Sequence, residues 1–359
     1  MDEHAPNDSR SQTMATPMTS EFRESSDRGP LDATVRALLP RRISDLSLTI
    51  GGTALEGCIA QLYAELESRG IAFRPKCYLA DEWGCPTGVP VIGIPFYLAD
   101  PELTRIEGEL SGIDPEGEPE IMMYLRHEAG HAFDYAYRLY LQPEWRELFG
   151  PFFKPYSDGY RPDPFSDRFV RHIPGWYAQK HPDEDAAETF AVWLTPGSNW
   201  REIYAGTPAL AKLLYIDRVA REYGLQPPLV TEGRAHGPVE ELRTTLAEWY
   251  DTELERSGDA LGLPLLLNAD LKRLFPSVEG EPADEALAPY RGRMIREIRY
   301  WTGMGLTTVS VLVDDVFDRL QGLGLRLVPG QEAATLVGLS VLITTLTMNY
   351  HYTRQFVRR

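Results

Sequence analysis

Leu55, Ile59, Leu62 and Leu66 recur at intervals of three and four residues, the pattern of a helix with one buried stripe. Thr53 just ahead of them and Glu56 three residues on have capping-box spacing, and Gly70 supplies the stop. Upstream the period changes: within 43–50, Leu46, Leu48 and Ile50 alternate with polar residues, which predicts a half-buried strand. Two apolar runs, 71–80 and 89–98, flank the turn-rich segment DEWGCPTG and predict two strands joined by a long hairpin. Asp100 before Pro101 forms an N-cap and first-turn pair for a short helix reaching about Leu110. A Gly/Pro/Asp loop over 111–119 then leads into EIMMYLRHEAGHAFDYAYRLYL, which has one Gly and no Pro and predicts a long helix.

Residues 142–176 are dense in Pro, aromatics and Arg, a composition that makes ordered loops and short helical turns. Helices are expected from Pro182 to Leu194, stopped by Pro196 and Gly197, and from an N-cap at Thr207 to about Tyr223. LQPPLVTEGRAHGP, 225–238, has linker composition, and the patterns at 239–256, 284–302, 306–321 and 331–350 are helical. The expected class is α+β. A polar tail over 1–30, expected to be disordered, precedes a domain with a small mixed sheet over 31–223. A linker over 224–238 then joins it to an all-helical region over 239–359 to which no role is assigned.

Composition narrows the partners. Across 359 residues, 36 Lys and Arg face 53 Asp and Glu, a net charge of −17, so phosphate backbones and anionic membranes would be repelled. No nucleic-acid partner is expected. Cys58, Cys77 and Cys85 form no CxxC pair, which argues against a disulfide scaffold and fits a reducing compartment. The first thirty residues lack the apolar core of a signal peptide, and the charge-free stretch from Ala333 to Thr353 carries five threonines, a serine and a histidine. A buried helix rather than a membrane span, and a cytoplasmic location, are the expectations.

The candidate chemistry lies in His127-Glu128-Ala129-Gly130-His131, an HExxH pattern inside the long predicted helix. Residues four apart share a helix face, so both imidazoles can approach one cation, and Glu128, about 100° around the helix, can reach a water beside it. A metzincin would need Gly at 134 and His at 137; Asp134 and Tyr137 stand there, which excludes that class. The other source of a third ligand is a carboxylate on a later helix. HPDEDAAETFAVW, 181–193, offers Glu184 and Glu188 one turn apart, among small and apolar neighbours that imply a packed helix. One acid can bind metal while the other supports a ligating histidine, and spacing alone does not order them. His172 and His181 are expected to be loop histidines, and His236, His351 and the basic ending Arg354, Arg358 and Arg359 to be surface residues.

LRHEAGHAFDYAYRL and YAQKHPDEDAAETFA, with SDLSLTIGGTALE, YLADEW, GIPFYLADPEL and WRELFG, resemble the zinc-binding metallopeptidase family over about 41–223. This is a gluzincin-type zincin group whose active site is similar to that of lethal-factor-like enzymes and Pro-Pro endopeptidases. The resemblance implies a zincin-like domain holding one zinc per chain on His127, His131 and Glu184, with Glu188 and Asp134 in support. It also implies Glu128 as general base and Tyr177, seven residues before Glu184, as a donor to the oxyanion. The implied activity is hydrolysis of peptide or protein substrates, by an endopeptidase rather than an exopeptidase, with strand 89–98 as the sheet edge along which the peptide lies. The Cys-rich zinc ribbon often found in that group is absent, so no structural zinc is expected. Two rival functions are a zinc-binding but inactive interaction module and a metallohydrolase of a non-peptide amide.

Overall fold

The stripe at 55–66 becomes helix α2, Ala54–Ser68, in a computed structural model that describes residues 33–111, 115–156, 162–250, 263, 267–277 and 279–353. Leu55, Ile59, Leu62 and Leu66 are all buried. Only part of the expected capping box forms: Glu56 accepts the Gly52 amide, while Thr53 donates its hydroxyl to the Ile50 carbonyl. The tail expected over 1–30 lies outside the described residues, which open with helix α1, Ala33–Leu38.

The strand expected at 43–50 does not form. Ile43–Asp45 make a turn of 3₁₀ helix and Ser47 adopts φ 54°, while the amides of Ile43 and Ser44 bond the carbonyls of Thr244 and Leu242. Leu46, Leu48 and Ile50 still pack on the core, so the alternation marked burial without a sheet partner.

The hairpin is also corrected. Strands β1, Lys76–Ala80, and β2, Val91–Pro95, run parallel, with Lys76 opposite Val91 and Ala80 opposite Pro95. Parallel strands need a return path. Here the connection itself provides it, passing down the far side of β2, where Gly84 and Gly93 exchange amide-to-carbonyl bonds of 2.8 and 3.3 Å. A Cβ on Gly93 would sit 3.0 Å from the Ala80 Cβ and 3.3 Å from the Gly84 carbonyl oxygen, so glycine is what lets β2 lie between its neighbours. The sheet is therefore small and mixed. Its outer edge is the stretch around Gly84, and β2 is buried throughout.

Helix α3, Pro101–Ser111, starts as expected, with the Asp100 carboxylate accepting the amides of Glu102 and Leu103. Helix α4, Glu118–Tyr137, contains HExxH and packs on α2, β2 and α6, Pro182–Leu194. Because neighbours cover it on several sides, every residue from His127 to Tyr137 is buried. Short helix α5, Pro143–Phe149, the turn α7, Trp200–Ile203, and helix α8, Pro208–Tyr223, complete the described helices before residue 224. The segment with linker composition folds back onto this body. The amides of Leu229 and Val230 bond the Ala136 carbonyl, Pro238 bridges Ala80, and Val239, Leu246 and Tyr250 join the same core. Of the helix expected over 239–256, the described part begins at 246 and the stretch beyond 250 lies outside the described residues.

A second core gathers Leu267–Leu274, Ala283–Leu287, Arg291–Thr302, Leu306–Gly322 and Glu332–Thr353. It is not wholly helical: Glu281–Pro282 pairs antiparallel with Arg326–Leu327. The pattern at 284–302 is split by a 3₁₀ turn, Ala288–Tyr290, at Pro289, which lacks the amide a continuous helix needs. The last helix buries one row, Thr335, Leu339, Ile343, Thr347 and His351, and leaves Val337 and Val341 exposed. By length and composition alone it is long and apolar enough to cross a membrane. His351, expected at the surface, belongs to the buried row, with Nδ1 2.8 Å from the Met304 sulfur. Arg354, Arg358 and Arg359 lie outside the described residues.

Candidate metal centre

Helices α4 and α6 touch where Gly130 faces Ala187: a Cβ on Gly130 would lie 2.9 Å from the Ala187 Cα and carbonyl oxygen. That close approach carries the acidic helix over the two histidines. His127, His131 and Glu184, all buried, form a group that can hold a metal ion. Their facing atoms make a triangle: His127 Nε2 to Glu184 Oε2 3.0 Å, His131 Nε2 to the same oxygen 3.3 Å, and the two Nε2 atoms 3.2 Å apart. Three N and O ligands at about 2.0–2.1 Å from one tetrahedral ion would stand about 3.3 Å apart. The donor set and its spacing therefore fit an ion such as zinc.

The outer nitrogens are held as well. His127 Nδ1 bonds Glu188 at 2.8 Å, and His131 Nδ1 bonds Asp183 at 3.1 Å. An Nδ1–H donated to a carboxylate leaves Nε2 with its lone pair toward the centre of the triangle. Glu188 is itself anchored by the amides of His172 and Ile173, and Asp183 by the Tyr135 hydroxyl. Asp183 was missed at the level of sequence. It stands in the first turn of α6 with Glu184 and Asp185, where acids are ordinary complements to the helix dipole. Among the described residues no hydrogen bond joins Asp134 to a histidine. Its carboxylate accepts the Tyr140 amide and the Trp145 indole N–H, each at 2.7 Å, tying the end of α4 to the following turn.

Glu128 is 6% exposed, and among the described residues nothing hydrogen-bonds its carboxylate. Burial raises its pKa, the two histidines oppose that, and Glu184 and Asp183 add to it. Tyr177 lies edge-on to His127, ring centroids 5.6 Å apart, and its oxygen accepts from Lys180 Nζ at 3.3 Å. A second phenol is nearer the triangle. Tyr156 stacks on His181 at 3.9 Å and sets its hydroxyl 3.2 Å from Glu184 Oε1. Its place in an irregular aromatic loop gave the sequence no periodic signal. His181 caps α6 by accepting the Asp183 amide, and His172 bonds the Met123 carbonyl. Neither belongs to the triangle.

The carboxylates around the two histidines favour positive charge on the imidazoles. Burial works against protonated His127, but its hydrogen bonds to Glu184 and Glu188 outweigh that and raise it from 6.5 to about 9. His131 is raised too, burial being overcome by Asp183 and Glu184, while Glu184 is held well below its usual range by the two histidines despite burial. For a group raised on folding, the stability it adds is complete below the unfolded pKa and is lost as pH rises through the folded one. For His127 that window runs from 6.5 to about 9 and is worth on the order of 3 kcal/mol. Asp134, pushed by burial and Asp183 to about 8, acts in the same direction. The melting temperature of chelator-treated protein is therefore expected to fall between pH 7 and 9.5, and that of zinc-loaded protein to hold, since the metal replaces the proton. Parallel thermal unfolding series check this, and a flat metal-free series would contradict it.

No protein-family model matches the chain, and neither the curated proteins nor the solved structures searched contain a significant match.

Proposed function

We propose that the protein is a zinc-dependent peptidase of the gluzincin type, as the resemblance of its motifs implies. The observation that carries this is the buried triangle of His127, His131 and Glu184 at 3.0–3.3 Å, each imidazole backed by a carboxylate, with buried Glu128 next to His127 in the chain. His127, His131 and Glu184 would hold a zinc ion, which would supply a Lewis acid for the attacking water and the substrate carbonyl. Glu128 takes the proton of the attacking water and delivers it to the leaving nitrogen, a role suited by its raised pKa and by its carboxylate having no hydrogen bond among the described residues. Glu188 and Asp183 hold the imidazoles in one tautomer and one orientation. The peptide runs beside the outer edge around Gly84, since the edge of β2 at Gly93 is taken. Metal content together with proteome-wide cleavage-site profiling of wild type against Glu128→Gln tests the function.

Two phenols compete for the charge that develops on the carbonyl oxygen. Tyr177 lies edge-on to His127 with Lys180 donating to its oxygen, and Tyr156 points its hydroxyl at a ligand oxygen. Tyr177→Phe is expected to lower kcat by about 10²–10³ with KM and zinc content little changed. Steady-state kinetics of Tyr177→Phe and Tyr156→Phe side by side check the assignment; a loss confined to Tyr156→Phe would move the role to that residue.

A further inference from the structure

A cavity of about 570 Å³ opens beside the N-terminal half of α4, within the size range of specific ligand sites, about 300–1,000 Å³. Its inner wall includes Tyr124, three residues before His127 and four before Glu128, so this ring and the general base share one helix face. Trp83, from the outer sheet edge, stacks on Tyr124 at 5.3 Å, which lines up cavity, edge and Glu128 along α4. The outer wall belongs to the helical region, whose Arg299 and Tyr300 face the cavity. That wall is fixed in place: Arg299 donates to the Tyr124 hydroxyl at 3.4 Å, and Gly175 meets Gly303 so closely that a Cβ on Gly175 would lie 2.8 Å from the Gly303 Cα.

The lining is aromatic and acidic. Four carboxylates, Glu107, Glu116, Glu120 and Glu297, face two guanidiniums, Arg296 and Arg299. Burial lowers the pKa of His172, which disfavours a positive charge there. Tyr97 donates its hydroxyl to Glu116, and its own ionisation is pushed up by burial and then by Glu116 and Glu107, the mark of a negative field. Tyrosine faces beside carboxylates favour a long cationic side chain, whose stem lies on the rings and whose head meets the acids.

We propose that this cavity is the specificity subsite of the enzyme, that it takes a lysine or arginine side chain of the substrate, and that the helical region supplies its outer wall. The proposal rests on the peptidase function for the word substrate, but its test reads binding and not hydrolysis.

The probes are fluorescein-labelled hexapeptides, Ala-Ala-Ala-Xaa-Ala-Ala with a C-terminal amide and Xaa as lysine, norleucine or glutamate. They are titrated against the full-length Glu128→Gln chain with zinc added and followed by fluorescence anisotropy. The alanine background lets each peptide choose its register. The lysine peptide is expected to bind about tenfold or more tighter than the glutamate peptide. Glu116→Gln/Glu120→Gln on the same background should bring lysine and norleucine within about threefold, with zinc content and circular dichroism unchanged. Tyr300→Ala should weaken the lysine peptide by about threefold. Equal binding of the three peptides, no binding, or a lysine preference that survives loss of both acids overturns the subsite. A preference for glutamate overturns it in favour of a carboxylate held by Arg299, and an unaltered affinity in Tyr300→Ala overturns the part given to the helical region. Hydrolysis by the wild-type chain, measured separately, reports on the peptidase function alone.

Discussion

Glu128→Gln is expected to keep one zinc per chain and to lower peptide hydrolysis by about 10²–10⁴-fold, the worth of a positioned general base. The amide nearly matches the carboxylate in shape, and the metal-facing atoms belong to His127, His131 and Glu184, so the triangle has no reason to open. His127→Ala is expected to do the opposite. It removes one corner of the triangle and leaves Glu188 with one partner fewer at full burial, so the metal goes and stability with it. Elemental analysis and hydrolysis of a cleaved reporter peptide, run on both variants, separate the two roles. Full turnover by Glu128→Gln would end the general-base assignment, and stoichiometric tightly held zinc in His127→Ala would end the ligand assignment.

Gly130→Val is expected to be equally damaging without touching a ligand. The new side chain would begin 2.9 Å from the Ala187 Cα and carbonyl oxygen and 3.0 Å from the Phe190 Cβ. Backbone cannot swing aside as a long side chain does, so α6 must move away from α4. Such overpacking costs about 1–3 kcal/mol in a well-packed core. The larger effect is on the site, since Asp183, Glu184 and Glu188 all ride on α6 and meet their histidines within 3.3 Å. A shift of about 1 Å would spoil all of these contacts together, and zinc affinity should fall by about 10²-fold or more. Competition with a chromogenic chelator measures it. Gly57→Ala on α2, where an added Cβ meets nothing within 4 Å, is the control and should bind zinc as the wild type does. Unchanged affinity in Gly130→Val would mean that the α4–α6 approach does not hold the site.

Local chemistry was legible wherever it was short-range. The stripe of α2, the Asp100 cap of α3, α4 as far as Tyr137, and α6 from Pro182 to Leu194 all follow from periodicity, caps and proline placement, which act within a few residues, whereas the last turn expected to residue 141 is broken at Arg138, φ 52°. The histidine pair and the acidic helix were legible for the same reason, because residues four apart on a helix share a face whatever surrounds them. The same alternation misled at 43–50, where the partner is a loop near residue 244 and not a strand. The order of Glu184 and Glu188 could not be read either. Both face one way on α6, and only the depth of its contact with α4 sets one carboxylate in the triangle and the other behind His127.

The sequence by itself therefore determined helices α2, α3, α4 and α6, the ligand types and the presence of one HExxH helix with one acidic helix to answer it. Tertiary structure alone decided the rest: that the connection between β1 and β2 returns along Gly93 and makes the strands parallel, that Asp183 holds His131, and that Tyr156 reaches the ligand Glu184. It also decided that the helical region stands against Tyr124. The physical reason is one of range. Periodicity and caps are set by neighbours along the chain, whereas each of these features depends on residues far apart in sequence that meet only when burial brings whole elements together, and nothing in a local pattern encodes the distance at which they stop.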